Sequence, residues 1–311
     1  MLLAQEEPVF RSESNLVLVP ALVRDASGHA VYGLQAKDFI LEDNGVAQPV
    51  HLDDETQPEP LSIVVAIQTG GSASHELPRI QGLNSMLGPI LDEPQTQIAI
   101  VEFDSGIQLA QDFTGDAERI EQVLQKIERG DGGAAILDTV KYSVNLLNQL
   151  PEERKRVLLL ISESRDHGSH WAKVDDVVTL IGNSNTSVYS LTFSPTLSKI
   201  LDKHHGEDPA DWGSGPDLLG LANLARQAMR ENAPKAIAAQ TGGEYRVFES
   251  RARFENHLLD FTNHLHSRYM LSFEPKNPQP GLHRIRVRLA DAGDQTVLAR
   301  STYWAGEAGS P

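Results

Sequence analysis

The run Ile63-Val64-Val65-Ala66-Ile67, followed by Gln68-Thr69-Gly70-Gly71-Ser72, constrains the fold more than any other stretch of the chain. An unbroken apolar run ending in a polar, glycine-paired loop describes a strand buried on both faces, and such strands belong to parallel sheets covered by helices. The glycines let the backbone turn sharply as it leaves the strand, and open α/β sheets bind ligands at that carboxyl edge. Beyond it, apolar residues recur at Leu77, Ile80, Leu83, Leu87 and Ile90, a spacing that predicts a helix over 77–91.

Composition narrows the function classes. The chain has 311 residues, with 43 acidic against 27 basic side chains and a net charge of −16, which disfavours binding to a phosphate backbone. Its densest basic stretch, Arg284-Ile285-Arg286-Val287-Arg288, alternates so that the arginines share one solvated face of a strand. The absence of cysteine excludes disulfides, thiol catalysis and zinc–thiolate sites. No run approaches the roughly 20 apolar residues of a membrane span. Met1–Glu7 is too short for a complete signal peptide, although Leu-Leu-Ala-Gln is compatible with the tail of a trimmed one.

Taken in order, residues 1–14 are polar and expected to be loose, and 15–24 read as a strand in which Pro20 argues for an edge or a break. Asn44-Gly45 is a strong hairpin signal, and the spacing of short strands to residue 52 suggests an antiparallel sandwich. A Pro- and acid-rich link at 53–60 then marks a boundary. Strands at 61–67, 97–103, 156–161 and 186–193 alternate with helices at 77–91, 116–128, 135–149 and 173–184, with Ile107–Phe113 as an antiparallel edge strand and Asp116 as an N-cap. Residues 194–218 form a long Pro-, Gly- and Asp-rich loop, of a kind that is often functional. Helices at 218–230 and 251–266 flank Ala233–Gln240, to which no element is assigned, and a turn into the last parallel strand at 241–247. Strands return at 269–273, 283–289 and 296–304. The expected architecture is α/β: a doubly wound, mostly parallel sheet (59–266) inserted in a small antiparallel β-sandwich formed by 15–58 and 267–306, with a tail at 307–311.

Three motifs in order resemble von Willebrand factor type A (VWA) domains. The family's Asp-x-Ser-Gly-Ser falls on Gln68-Thr69-Gly70-Gly71-Ser72, its Gly-Gly-Thr on Gly132-Gly133-Ala134, and its Ser-Asp after the fourth strand on Ser162-Glu163. The flanks Leu34–Gln48 and Arg268–Pro275 are similar to a bacterial VWA-related family first described from acidobacterial proteins and largely exported. The resemblance implies a non-enzymatic module that binds another protein, in the periplasm or cell envelope. In the family, these loops hold Mg²⁺ or Mn²⁺ in a metal-ion-dependent adhesion site. Here Gln68, Gly70 and Ala134 replace three oxygen ligands, Glu163 is one methylene longer than Asp, and only Ser72 is unchanged. Magnesium requires a near-ideal octahedron of hard oxygens, so the expectation is a degenerate, metal-independent site with no cofactor.

Other readings stay open. Glu163, Asp166 and Asp104 are candidates for a rebuilt site for Mg²⁺, Mn²⁺ or Ca²⁺, which would make the protein a metal-dependent adhesion module. His204 and His205, among Asp202, Glu207, Asp208 and Asp211, offer imidazole–carboxylate chemistry suited to zinc, and Trp212 is a candidate binding anchor on the same loop. Ser72, with Ser74 and His75 nearby, or the His204–His205 loop, supports a hydrolase reading, although Gly70-Gly71-Ser72-Ala73-Ser74 does not form a nucleophile elbow. Asp138 is read as a charge favourable to a helix start. No nucleic-acid partner is expected.

Overall fold

The computed structural model describes residues 16–53, 59–80, 83–193, 218–276, 278–291 and 293–306. Its centre is β5 (Leu61–Gln68), in which all eight residues are buried. Alternate side chains serve two cores: Val64 and Ala66 enter one, and Ile63, Val65 and Ile67 the other. β5 pairs in parallel with β6 (Gln97–Phe103) on one side and β8 (Lys155–Ser162) on the other. β9 (Thr186–Phe193) and β10 (Tyr245–Phe248) continue the parallel sheet beyond β8, and β7 (Ile107–Thr114) closes the other edge antiparallel to β6. The order β10-β9-β8-β5-β6-β7 is doubly wound, and its direction reverses between β5 and β8. Ligand crevices form at such a reversal.

Helices cover both faces. α1 (Leu83–Leu91), α2 (Ala117–Leu124) and α7 (Arg251–Leu265) pack on the Ile63 face, while α3 (Ile136–Asn148), α4 (Val174–Asn183), α5 (Leu218–Glu231) and α6 (Ala233–Thr241) pack on the Val64 face. Asp116 caps α2 by accepting from the Glu118 and Arg119 amides, as expected. The helix expected over 77–91 is shorter. Pro78 has no N–H for a helical bond, and two 3-10 turns at 71–75 and 77–79 precede α1. Its apolar period still points inward, with Ile80, Leu83, Leu87 and Ile90 buried. α6 is an element that the hydrophobic period left unassigned; Asn232 caps it, and Gly242 ends it in the left-handed conformation.

The remaining strands form two antiparallel sheets. One has the order β13-β1-β11-β4 and the other β14-β12-β2-β3, built from β1 (Val17–Arg24), β2 (Phe39–Asp43), β3 (Val46–Gln48), β4 (His51–Leu52), β11 (Tyr269–Phe273), β12 (Gly281–Leu289), β13 (Thr296–Ala299) and β14 (Thr302–Ala305). Val19, Leu41, Phe273 and Tyr303 share the core between them, so N- and C-terminal segments complete one sandwich. Asn44 and Gly45, with φ of 49° and 83°, make the tight β2–β3 turn. Two expectations need correction. β1 is not an edge strand: it pairs with β11 up to Ala21 and with β13 from Ala21, and the Pro20 carbonyl accepts from the Arg300 amide just beyond the β13 ladder. The strand expected over 296–304 is two strands, because the chain changes sheet at Arg300-Ser301.

Arg300 explains that crossing. It is buried and donates to the carbonyls of Thr302, Leu18 and Gly182, joining both sheets of the sandwich to α4. Burial lowers its pKa to about 10, so it stays charged at neutral pH. A second junction is built on Glu244, whose carboxylate faces His264 at 2.8 Å, Arg246 at 3.0 Å, Arg268 at 3.5 Å and Arg24 at 3.8 Å. Burial alone would raise its pKa, but the hydrogen bond from His264 and the charges of Arg268 and Arg246 outweigh it and hold it at about 2.

Two outcomes follow. Arg300→Ala leaves buried carbonyls unpaired and is expected to cost about 3 kcal/mol in chemical denaturation. Because the folded-state pKa of Glu244 is depressed, its contribution is fully present above about pH 4.5 and declines as pH falls towards 2. Glu244→Gln should therefore flatten the acid limb of a stability–pH profile, and an unchanged limb would contradict this.

Candidate functional site

The carboxyl ends of β5 and β8 converge with the 130–135 loop at the sheet reversal, where the family motifs fall. The sequence places Gln68 at the last position of β5, and the fold makes it internal. It is 1% exposed, its Nε2 donates to the Gly70 carbonyl at 3.0 Å, and its Oε1 accepts from the Glu163 amide at 2.9 Å. Both ends of the amide are thus used to join the β5 and β8 loops.

Gly70 allows the 130–133 loop to lie directly on the β5 loop. The Gly71 amide donates to the Asp131 carbonyl at 2.7 Å, and the Gly130 amide to the Thr69 carbonyl at 3.1 Å. A Cβ on residue 70 would overlap the Gly133 carbonyl oxygen and lie 2.6 Å from Asp104 Cβ and 2.9 Å from the Asp131 carbonyl. Space for a serine ligand at this position is filled by backbone. Ala134 is fully buried in the core beside α3. A hydroxyl there would have to be accommodated among apolar side chains.

Ser72 and Glu163 do meet. Ser72 Oγ donates to Glu163 Oε2 at 2.5 Å, and His167 Nε2 lies against Oε1. This imidazole and the Ser72 hydroxyl occupy both oxygens of the carboxylate. The contact order is Ser72–Glu163–His167, with the carboxylate in the middle. A serine nucleophile needs the imidazole between hydroxyl and carboxylate, so this constellation is not a hydrolytic triad. The side chains of Ser74 and His75 lie outside the described residues, as do His204, His205 and Trp212.

The rebuilt cation site expected from Glu163, Asp166 and Asp104 is not assembled. Asp104 accepts from the Gly106 and Asp131 amides, and Asp166 from the Leu137 amide and the Ser169 hydroxyl. Each carboxylate serves a different loop, and among the described residues no group of three or more acidic or histidine side chains is arranged to hold a metal. The donor set therefore does not fit the octahedral Mg²⁺ or Mn²⁺ implied by the family resemblance.

His167, Asp131 and Trp171 carry parts of the site that motif comparison did not assign. Asp131 Oδ1 accepts from the Gly133 and Ser105 amides, keeping the glycine loop in place, and the hydrogen bonds from the Gly133 amide and from the Ser105 side chain and amide hold its pKa below the usual carboxylate range. Asp138 does more than favour a helix start: it accepts from the amides of His170, Trp171 and Ala172. That fixes the loop carrying Trp171, which is 49% exposed with Lys141 Nζ 5.4 Å from its ring centre. The available signal for His167 was electrostatic, since a carboxylate without its cation calls for a basic side chain close by.

No protein-family model matches the sequence, and no curated protein matches it. Similar solved structures include a von Willebrand factor type A protein from Catenulispora acidiphila, at 9% identity over 96% of this chain and 76% of that one, with a TM-score of 0.48. BatB from Bacteroides thetaiotaomicron is similar at 12% identity over 65% of this chain and 97% of that one, with a TM-score of 0.44. Proximal thread matrix protein 1 from the mussel byssus, with a zinc-occupied adhesion-site motif, is similar at 15% identity over 70% of this chain and 48% of that one, with a TM-score of 0.46. Likenesses this distant carry no activity or ligand from one chain to another. The VWA-like fold of this chain rests on its own strand order and on the three motif loops meeting at the sheet reversal.

Gly70→Ser, which restores the family residue, is expected to destabilise the protein by about 1–3 kcal/mol through overpacking. A denaturant midpoint equal to that of the native protein would show that the two loops separate freely.

Proposed function

We propose that the protein is a non-enzymatic protein-binding module whose sheet edge works without a metal ion. The observation that carries this reading is the closed network at the edge: Gln68 is used up by backbone groups, and Glu163 is held by Ser72 and His167. An adhesion site that captures a partner's carboxylate needs a cation with an open position. In support of this reading, the space of a serine ligand at residue 70 is filled by the 130–133 loop and Asp104.

The partner is another protein, and the contact surface consists of Gln68–Ser74, Gly130–Ala135 and Glu163–Trp171. Trp171 supports the assignment because it is an exposed aromatic on a loop already fixed by Asp138. Aromatic anchors of this type dominate interface energies, and a pre-fixed loop loses little entropy on binding. Export to the cell envelope belongs to the same reading, through the family resemblance. Among the described residues, no helix is long and apolar enough to cross a membrane.

Thermal unfolding of chelator-treated protein tests the proposal. A cation bound only to the native state at about 100 times its Kd would add roughly 2.7 kcal/mol. No shift in Tm is expected with millimolar Mg²⁺, Mn²⁺ or Ca²⁺. A rise of several degrees that disappears in Glu163→Ala would contradict metal independence and favour the metal-dependent reading.

A further inference from the structure

A second concave site lies at the start of β10, where α6 and β10 meet β12 and β13 of the sandwich. It is a cleft of about 230 Å³. Among the described residues, six basic side chains line it (Arg24, Lys235, Arg246, Arg284, Arg286 and Arg300), and Glu244 is the one acid in its lining. That is a local inversion in a chain of net charge −16.

The single carboxylate does not balance the cations around it. Glu244 is shared among Arg246, Arg24, Arg268 and His264. Arg24 Nε is buried and has no acceptor among the described residues. Burial first, then the charges of Arg246 and Arg268, push the Arg24 guanidinium below its usual range, despite the opposing effects of Glu244 and Asp260. Burial and the nearby Arg286 do the same to Arg284. Among the described residues, the Lys235 ammonium and the Arg286 guanidinium make no ion pair or hydrogen bond; Glu42, directly across the β2 pairing from Arg286, is bonded by Arg288 instead. Arg300, by contrast, is committed to carbonyls and acts as a fixed charge in the wall.

We propose that this cleft binds a multiply charged oxyanion, phosphate- or carboxylate-bearing, in the arms of Arg24, Lys235, Arg246 and Arg286. Guanidinium forks match both kinds of oxyanion with paired N–H donors. An oxyanion supplies the acceptor that the buried Arg24 Nε lacks and reduces the repulsion among the arginines. Val287, Val297 and Leu298 complete the lining, so the ligand has room for an apolar part beside its charge. Ligand pockets favour junctions between folding units, and this one touches both the α/β layers and the sandwich. The proposal is independent of the sheet edge discussed above, whose residues do not line this cleft.

Isothermal titration calorimetry of the whole chain at constant ionic strength, with pyrophosphate and citrate as separate probes, tests it. One-to-one binding of at least one probe is expected, weakened at least tenfold by Arg286→Ala and by Lys235→Ala, which change exposed or half-exposed groups and leave the core intact. Binding of pyrophosphate alone assigns the site to phosphoryl ligands, citrate alone to carboxylates, and both to oxyanions in general. Absence of binding by both probes, or affinity unchanged in both variants whose unfolding transitions match the native protein, overturns the proposal.

Discussion

Backbone contact between the β5 loop and the 130–133 loop is the constraint on which the candidate edge depends. Gly71 and Gly130 exchange amide and carbonyl bonds with Asp131 and Thr69, and Gly70 is needed because backbone and Asp104 occupy the space of a side chain. Once those loops meet, the space that a serine side chain at residue 70 would need is filled. The substitutions at Gln68, Gly70 and Ala134 are then parts of one arrangement. Gln68 bridges the β5 and β8 loops, the glycine admits the neighbouring loop, and the alanine packs in the core. Glu163 keeps its charge, answered by a hydroxyl and an imidazole from the same edge.

The other half of the molecule is organised by buried cations. Arg300 joins the two sandwich sheets to α4 through carbonyls, and Arg268, itself buried, reaches Tyr189 at 2.5 Å and Glu244 at 3.5 Å. Such groups are costly to desolvate unless their donors are satisfied. Glu244 meets that need in part, and the cleft beside it holds the excess positive charge. The protein thus presents two surfaces of different character: an edge closed by neutral backbone bonds, and a basic cleft at the junction with the sandwich.

Much of the architecture was legible because it is written in local patterns. The Ile63–Ile67 run, the Asn44-Gly45 turn, the Asp116 cap and the alternation of strands with amphipathic helices each have a mechanism that acts within a few residues. What escaped depends on distant neighbours. The break between β13 and β14 has no glycine or proline to announce it, and rests on Arg300 finding carbonyls more than 100 residues away along the chain. Helix α6 had its signals in Asn232 and Gly242, but its small residues carry little hydrophobic period. At the site, the motif positions located the edge, while His167 and the closure by Gly133 are visible only in three dimensions. The arginine alternation at 284–288 predicts a solvated face; Arg286 and Arg288 are exposed, the latter pairing with Glu42, whereas Arg284 is half-buried, and Arg284 and Arg286 line the cleft.

The central claim, that the family's metal position is closed in this chain, is tested most directly by electron paramagnetic resonance of Mn²⁺ titrated into chelator-treated protein. The account predicts that the free-ion signal is undiminished at equimolar protein. Loss of that signal in the native protein, with recovery in Glu163→Ala, would contradict it by showing that the loops part and Glu163 ligates the ion.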